Sequence, residues 1–596
     1  MGHGFYFERF EDRRPPAAVP HSDARELLFQ TLAVASLALG ALYLHWRWTR
    51  TLNPAALWFA IPLAIAETLA YVGSLLFFLA IWRNRDTPEQ PPPATVNDIL
   101  AQPAPRDRPL VIDVFFPTYS EDPELVRLSI RDGKRLRYPH PVDLRFHVLD
   151  DGQREAMKQV ADEEGVGYLS RTSNIGFKAG NMRNALEKTQ GDLLVICDAD
   201  TRPFPELLER TLGYFRDPDV AWVQTPQWFY DVAEGESLST RLGAVGRLIE
   251  RVTGPIYLGR DPLANDPQLF FDVIQRRRNW CNASFCCGAS SVHRREAVME
   301  AALKAYGLQI ERSMEEASEQ LPQPLGALPE GDRRDVEALM AGEAARETEL
   351  TPYKFHVSED IYTSLVLHAD RDRRWKSVYH PEVLSKMLSP QDLLAWTVQR
   401  FKYAGGTLDI GKNDNPLLME GLSPWQKLCY GATLWSYLAP LWTVPFLFAP
   451  IVYFFTGVAP VAAYDTDFYL RAVPFLVMNR LALLIGTWGV NSTRGEQYFL
   501  AFFWVNLKAL SDVLQGQPIK FKVTPKTRES RRHLELAWPH LVVIGLTLAG
   551  FVVGWLRVLR GGAHASAFVV NAFWCAMNLW ALSPLVFAAL DKEKAE

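Results

Sequence analysis

The chemistry-bearing residues of this chain are led by the stretch Gly191-Asp-Leu-Leu-Val-Ile-Cys-Asp-Ala-Asp200, where an apolar run ends in two aspartates, Asp198 and Asp200. Two carboxylates offset by two residues can share one hard divalent ion, and Mg2+ is usually held by one or two carboxylates plus substrate phosphates. A surface turn with two solvated aspartates has the same pattern. A second acidic pair, Asp150-Asp-Gly152, follows another apolar run, and Asp150 is the candidate for the base or ribose edge of a nucleotide. Lys178 or Arg183 can face a diphosphate, although a solvated lysine fits the spacing equally well. Asp360, in Ser358-Glu-Asp360, is a candidate general base for an acceptor hydroxyl, or else a charge in the first turn of a helix. A metal-binding pair, a cation and a base make a nucleotide-sugar site the first expectation. His356 and His368 lack metal-ligand spacing, and Cys286-Cys287 reads as packing near the site rather than zinc ligation. Gly176, Gly180 and Gly191 form no dinucleotide fingerprint.

The elements that must position these groups alternate in the order expected of an α/β fold. Val111-Ile-Asp-Val-Phe-Phe116, 144–149, Tyr168-Leu169, 193–197, Val220-Ala-Trp-Val-Gln224 and 375–379 read as strands, and 182–189 reads as a helix. Polar residues recur just beyond the strand ends, where open sheets bind ligands. Ser358 can cap a helix carrying Glu359 and Asp360 in its first turn. Residues 391–403 mix apolar and polar positions at helical spacing and suit an interfacial helix.

Composition separates this soluble middle from apolar flanks. The chain has 596 residues and a net charge of -5, so no basic footprint points to nucleic acid. Its six cysteines show neither paired-ligand nor disulfide-rich spacing, which suits a reduced, cytosol-facing catalytic part. The expected organisation is a cytoplasmic segment at 1–27, two transmembrane helices at 28–83, a Pro-rich linker at 86–109 and a catalytic domain at 110–385. That domain carries an insertion at 302–350, broken by Pro322, Pro324 and Pro329. Interfacial helices at 386–427, two spans at 428–490, an interfacial helix and loop at 499–535 and two spans at 538–590 follow. Arg480 interrupts one of these spans. Arg13, Arg14, Arg25, Arg83 and Arg85 outnumber Arg47 and Arg50, which places both termini and the domain in the cytoplasm.

The ordered motifs Pro117-Thr-Tyr-Ser-Glu121, Asp150-Asp-Gly152, Lys178-Ala-Gly-Asn181, Asp198-Ala-Asp200, Val223-Gln-Thr-Pro226, Phe285-Cys-Cys-Gly288, Ser358-Glu-Asp360, Gln399-Arg-Phe-Lys-Tyr403 and Phe521-Lys-Val-Thr-Pro-Lys526 carry a specific resemblance. Over roughly 110–530 and the membrane flanks, the chain resembles processive, membrane-embedded family 2 glycosyltransferases of the cellulose-synthase-like type. The resemblance implies a GT-A glycosyltransferase domain, that is, a nucleotide-diphospho-sugar transferase with a Rossmann-like mixed sheet, inserted between the transmembrane helices of a multi-pass membrane protein. It implies a bacterial inner-membrane enzyme that polymerises glucose from UDP-glucose into a β-glucan with Mg2+ or Mn2+. The growing glucan would run in a transmembrane channel, with periplasmic or envelope assembly partners.

By the same resemblance, Thr118, Tyr119, Asp150, Lys178 and Asp198 contact the donor nucleotide, Asp200 holds the metal, and Asp360 is the base with Glu359 beside it. Gln399, Arg400 and Lys402 face the diphosphate, while Cys287 and Tyr403 meet the acceptor. Phe521, Val523, Thr524 and Lys526 belong to a loop that closes over the donor. Lys402 stands where the family has Arg, exchanging a bidentate fork for a point charge. Tyr403 stands where it has Trp, a smaller stacking face with an added hydroxyl. Ser358 replaces the commoner Thr. No soluble domain is expected after the last span, so a cyclic-di-GMP module is expected to be missing. Linkage stays open among β-1,4, β-1,3 and mixed forms. A chitin- or hyaluronan-like synthase and a non-catalytic export or assembly protein are the alternatives. Trp435, Tyr437, Trp442 and Tyr453 are candidates for sugar stacking or for helix packing.

Overall fold

The computed structural model describes residues 5–232, 235–253, 257–258, 263, 267–319, 325, 328–462, 466–519, 532–561 and 565–590. The chain opens with a helical hairpin, α1 (Asp23–Arg50) and α2 (Leu57–Ala80). Ser22 caps α1 by accepting the Arg25 N–H, and Asn53 turns the chain into α2 by accepting the Ala55 N–H. Inside the hairpin, the buried Arg47 guanidinium lies 3.0 Å from Glu67 and also donates to Thr51, so neither charge is left uncompensated at membrane depth.

The α/β part is built on β1 (Leu110–Thr118), α3 (Pro123–Gly133), β2 (Val142–Asp150), α4 (Glu155–Glu164), β3 (Gly167–Ser170), α5 (Phe177–Lys188), β4 (Leu193–Ile196) and β5 (Val220–Gln224). These are followed by β6 (Ser291–Arg294), α6 (Arg295–Glu319), α7 (Glu330–Glu347), α8 (Glu359–His368) and β7 (Lys376–Tyr379). The seven strands form one sheet in the order β7-β5-β6-β4-β1-β2-β3. All neighbours are parallel except β6, which runs antiparallel between β4 and β5. This is the Rossmann-like mixed sheet that the resemblance implies, lying between long apolar helices. Alternate residues of the central strands feed two cores. Val114, Phe116, Val148 and Val195 pack on one face, while Phe115, Leu149, Leu194 and Ile196 meet Ala179 and Met182 of α5 on the other.

The sequence reading has no strand at 291–294, because Ser-Val-His-Arg is too polar to resemble a buried one. Its polar side chains find partners inside the fold, that of Arg294 at a distance. The buried Arg294 guanidinium donates to the carbonyls of Val220, Ile99, Phe215 and Asp217. The Ser291 hydroxyl bonds His293 Nε2 at 2.8 Å.

Helix α9 (Leu393–Asn413) returns the chain to the membrane side, with Asp392 accepting the Ala395 N–H as its cap. Then come α10 (Pro424–Tyr437), α11 (Pro440–Thr456), α12 (Thr466–Gly486), α13 (Thr493–Ala501), α14 (Phe503–Leu514), α15 (Leu534–Leu559) and α16 (Ala565–Leu590). Among the described residues, six helices are long and apolar enough to cross a membrane, α10 and α11 counting together as one. Arg480 of α12 pairs with Glu496 of α13. Pro322 and Pro324 of the insertion lie outside the described residues.

One local reading is corrected here and one pair of alternatives is decided. Ser358 precedes α8 but makes no side-chain cap. Its hydroxyl instead lies against Gly406 of α9, where a Cβ would come within 2.1 Å of it, so Ser358 serves the close approach of two helices. Trp435 and Trp442 stack on each other at 5.9 Å, and Trp442 and Tyr453 are buried, so these three pack helices.

Candidate active site

The crevice outside the carboxyl ends of β1, β2 and β4 gathers most of the candidate residues. Thr118 and Asp150 are register partners at the ends of β1 and β2, and Asp198 lies two residues beyond β4. A cavity of about 330 Å3 in this crevice is lined by Thr118, Tyr119, Asp151, Asn181, Lys178 and Asp198. A second cavity of about 460 Å3 shares Lys178, Asp198, Asp200, Gln399, Lys402 and Tyr403 with it and adds Cys287, Glu359, Asp360 and Arg400. The second cavity continues past Thr433 and Tyr437 of α10 to Tyr498 of α13 and Phe502. A soluble crevice is thereby joined to the helices of the membrane bundle.

Asp150 is enclosed at the end of β2. It is fully buried, accepts from the backbone N–H groups of Gly152 and Arg154 and from the Tyr168 hydroxyl, and pairs with the Arg154 side chain at 3.0 Å. With its oxygens so occupied, it anchors the turn and does not line the cavity. The neighbouring Asp151 does, paired with Arg171 at 2.6 Å. Arg183 also lies elsewhere, 2.8 Å from Glu349 and over the Phe355 ring. Asn181 was not singled out from the sequence. It donates to the Leu149 carbonyl and contributes to the cavity lining, while its Oδ1 is buried with no partner.

The electrostatic centre is Lys178, one residue into α5. Its ammonium pairs with Asp198 and stands 3.9 Å from Glu359. Burial alone would lower Lys178, but the charges of Asp198 and Glu359 raise it above its ordinary value, so it stays cationic. Burial raises the carboxyl of Glu359 to about 7, helped by the Asp360 charge and opposed by Lys178. Burial also raises Asp360, against the Ile361 N–H that its Oδ1 accepts at 2.8 Å and against Lys178. Burial lowers Lys402, with Glu359 and Asp198 opposing. Perturbed carboxylates and lysines sharing one cavity are what acid-base and phosphate chemistry require.

The loop opposite α8 is held by its backbone. Gln224 Oε1 accepts the Cys287 N–H at 2.8 Å and Gln227 donates to the Cys287 carbonyl. The Cys286 N–H donates to Ser364 Oγ, which donates to the Asp360 carbonyl, tying the loop to α8. These clamps present Gly288 at φ 80°, in the left-handed region, where a Cβ would lie 3.3 Å from Lys178 Nζ and 3.7 Å from Asp360 Oδ2. Glycine keeps the backbone in place and leaves room above Asp360. Thr118 Oγ1 is engaged with Glu121 and Arg154. Arg400 spreads over Tyr403 and Phe502, each 5.8 Å away. Phe521, Val523, Thr524 and Lys526 lie outside the described residues.

Asp198 and Asp200 both face the shared space, and Asp200 accepts the Leu388 N–H. Among the described residues no group of three His, Cys, Asp or Glu is gathered that could hold a metal ion. The donor set therefore suits an oxygen-loving ion completed by phosphates and water, not an all-protein metal centre.

Residues 113–301 match Glycosyl transferase family 2. Over 577 residues the chain is 27% identical to the cellulose synthase catalytic subunit [UDP-forming] of Pseudomonas fluorescens (strain SBW25), covering 95% of this chain and 67% of that relative. It is 28% identical over 564 residues to putative cellulose synthase 2 of Komagataeibacter xylinus, covering 92% of this chain and only 32% of that one. The chain thus spans about two thirds of the first relative and a third of the second. Among solved structures, the mannosyltransferase PcManGT from Pyrobaculum calidifontis in complex with GDP-Man and Mn2+ aligns at 15% identity and a TM-score of 0.44, covering 76% of this chain and 99% of that one.

Proposed function

Taking as premise that the chain is a family 2 glycosyltransferase related to bacterial cellulose synthases, we propose that it is a processive, inverting enzyme that polymerises glucose from UDP-glucose into a β-glucan and passes it across the membrane. The observation that carries this reading is the cavity that starts at Lys178, Asp198 and Asp200, includes Glu359 and Asp360, and runs on to Tyr437 and Tyr498 of the membrane-side helices. A transferase with a small soluble acceptor has no use for that continuation. A further cavity of about 660 Å3, lined mainly by apolar side chains with Tyr43, Glu67, Tyr71, Asn479 and Trp574 among them, lies among the membrane helices. The arginines around the first hairpin support a cytoplasmic catalytic domain.

In this mechanism Asp151 and Asn181 border the nucleotide, and Lys178 and Lys402 face its diphosphate. Asp198 and Asp200 would hold Mg2+ or Mn2+, which neutralises the charge growing on the leaving diphosphate. Asp360 accepts the proton of an acceptor hydroxyl, which attacks the anomeric carbon opposite the departing UDP. One displacement inverts the α-linked donor to a β-linked product. Burial raises Asp360, bringing its basicity nearer to what proton transfer at neutral pH needs. Tyr403, shared by both cavities, offers a ring face to the acceptor sugar.

The test is incubation of the protein in nanodiscs with radiolabelled UDP-glucose and Mg2+, followed by linkage-specific glucanases. A glucanase-sensitive polymer and stoichiometric UDP are expected, and chelation of the metal should abolish both. Polymer from UDP-N-acetylglucosamine and none from UDP-glucose would overturn the glucan reading.

A further inference from the structure

The far end of α8 from Glu359 and Asp360 opens on a separate cavity of about 680 Å3, lined by Trp280, Asn282, His368, Arg371, Arg374 and Trp375. No step of the proposed reaction uses it. Trp375 is wholly buried, and neither its indole N–H nor that of Trp280 has an acceptor. The indoles of Trp222, Trp396 and Trp435 are unpaired elsewhere in the molecule in the same way, so these two N–H groups do not by themselves mark a ligand. Arg374 is exposed and has no carboxylate partner among the described residues. Arg371 pairs with Glu420 only at the solvent-exposed rim. The nearby Asp370 and Asp372 are held by Lys304. His368 adds no charge. Burial lowers it to about 3, and its ring nitrogens bond Tyr430 and Ser377. The cavity therefore offers two guanidinium donors and no free carboxylate among the described residues, which is the chemistry of a phosphate site.

Its level in the molecule identifies the source of that phosphate. The Trp280 ring meets Trp425, in the first turn of the α10 span, at 5.1 Å. The Arg83 guanidinium lies 5.5 Å from the Trp280 ring and three residues beyond the end of the α2 span. Tryptophan and arginine at the ends of two spans mark the interfacial belt, where lipid phosphates lie. We propose that this cavity binds the phosphate-bearing headgroup of an anionic phospholipid. The bound lipid would brace the last turn of α8, whose first turn carries Glu359 and Asp360.

The test needs no catalysis. The full chain is exchanged into nanodiscs of phosphatidylcholine with a minor fraction of phosphatidylglycerol, and lipids that co-purify after transfer to detergent are quantified by mass spectrometry. Wild type should retain phosphatidylglycerol above its bulk fraction, and neutralising both arginines in R371Q/R374Q should lower that enrichment by roughly 10-fold or more. R371K/R374K, which keeps both charges and removes the planar forks, should lower it by only a few-fold and guards against misfolding of the double variant. Equal retention by wild type and all variants would overturn the site. Thermal stabilisation by inorganic phosphate together with no phosphatidylglycerol enrichment would overturn the lipid assignment in favour of a soluble anion.

Discussion

Replacing Glu359 with glutamine removes a charge that the fold holds against its own preference. Burial, and then the Asp360 charge, raise this carboxyl from 4.5 to about 7, and Lys178 at 3.9 Å offsets only part of the effect. A carboxyl whose folded value lies above its unfolded one binds its proton more tightly in the native state. Its stabilising contribution is then fully present below about pH 4.5 and is lost as the pH rises through about 7. The difference corresponds to about 3 kcal/mol of stability forgone above neutrality. The glutamine amide imitates the protonated form at every pH. Glu359→Gln should therefore match wild type near pH 4.5 and gain on it steadily, by up to about 3 kcal/mol at pH 8. Thermal unfolding in detergent, followed by tryptophan fluorescence from pH 4.5 to 8.5, reads this directly. Polymer synthesis should fall in the same variant, because strain at a catalytic centre is relieved at the expense of activity. A variant less stable than wild type at pH 8, or a difference that does not change with pH, would refute the reasoning.

Asp360→Asn should abolish polymer synthesis while leaving UDP affinity within about 3-fold, measured by calorimetry, since the base touches the acceptor and not the nucleotide. Gly288→Ala should cost roughly 1–2 kcal/mol of stability for its left-handed backbone. It should cost far more in kcat, because the new methyl occupies the space between Lys178 and Asp360; kcat and Tm measured together separate the two effects. The thiols of Cys281 and Cys429 lie 3.9 Å apart, one in the catalytic part and one in α10. Mild oxidation should join them, as peptide mapping would detect, with reductant reversing the bond and Cys281→Ser abolishing it.

Much of the sheet was legible in the sequence because β1, β4 and β5 are short, mainly apolar runs and β2 alternates apolar and polar residues, both local patterns. β6 was not legible, since Arg294 is buried on bonds to carbonyls distant in sequence and His293 is buried beside Ser291 and Cys286. The choice between Asp150 and Asp151 was also hidden. Adjacent residues leave a strand on opposite sides, so which one faces the crevice depends on where β2 stops in its register with β1. The sequence reading gave Asp150 the nucleotide. The structure seals it among Gly152, Arg154 and Tyr168 and turns Asp151 outward.

By itself the sequence determined the apolar flanks, the alternation of strands and helices, and which reactive side chains stand at element ends. All of these follow from short-range composition and periodicity. Only the tertiary structure decided which of those side chains meet. Lys178, Asp198 and Glu359 converge because α5, β4 and α8 pack around one crevice, and Gly288 enters that crevice because glutamines from other segments clamp its loop. Those contacts join residues far apart in sequence, so they exist only once the sheet and the membrane-side helices have closed on each other. The shifts of Glu359, Asp360 and Lys402 have the same origin, since burial in that closed site is their leading cause.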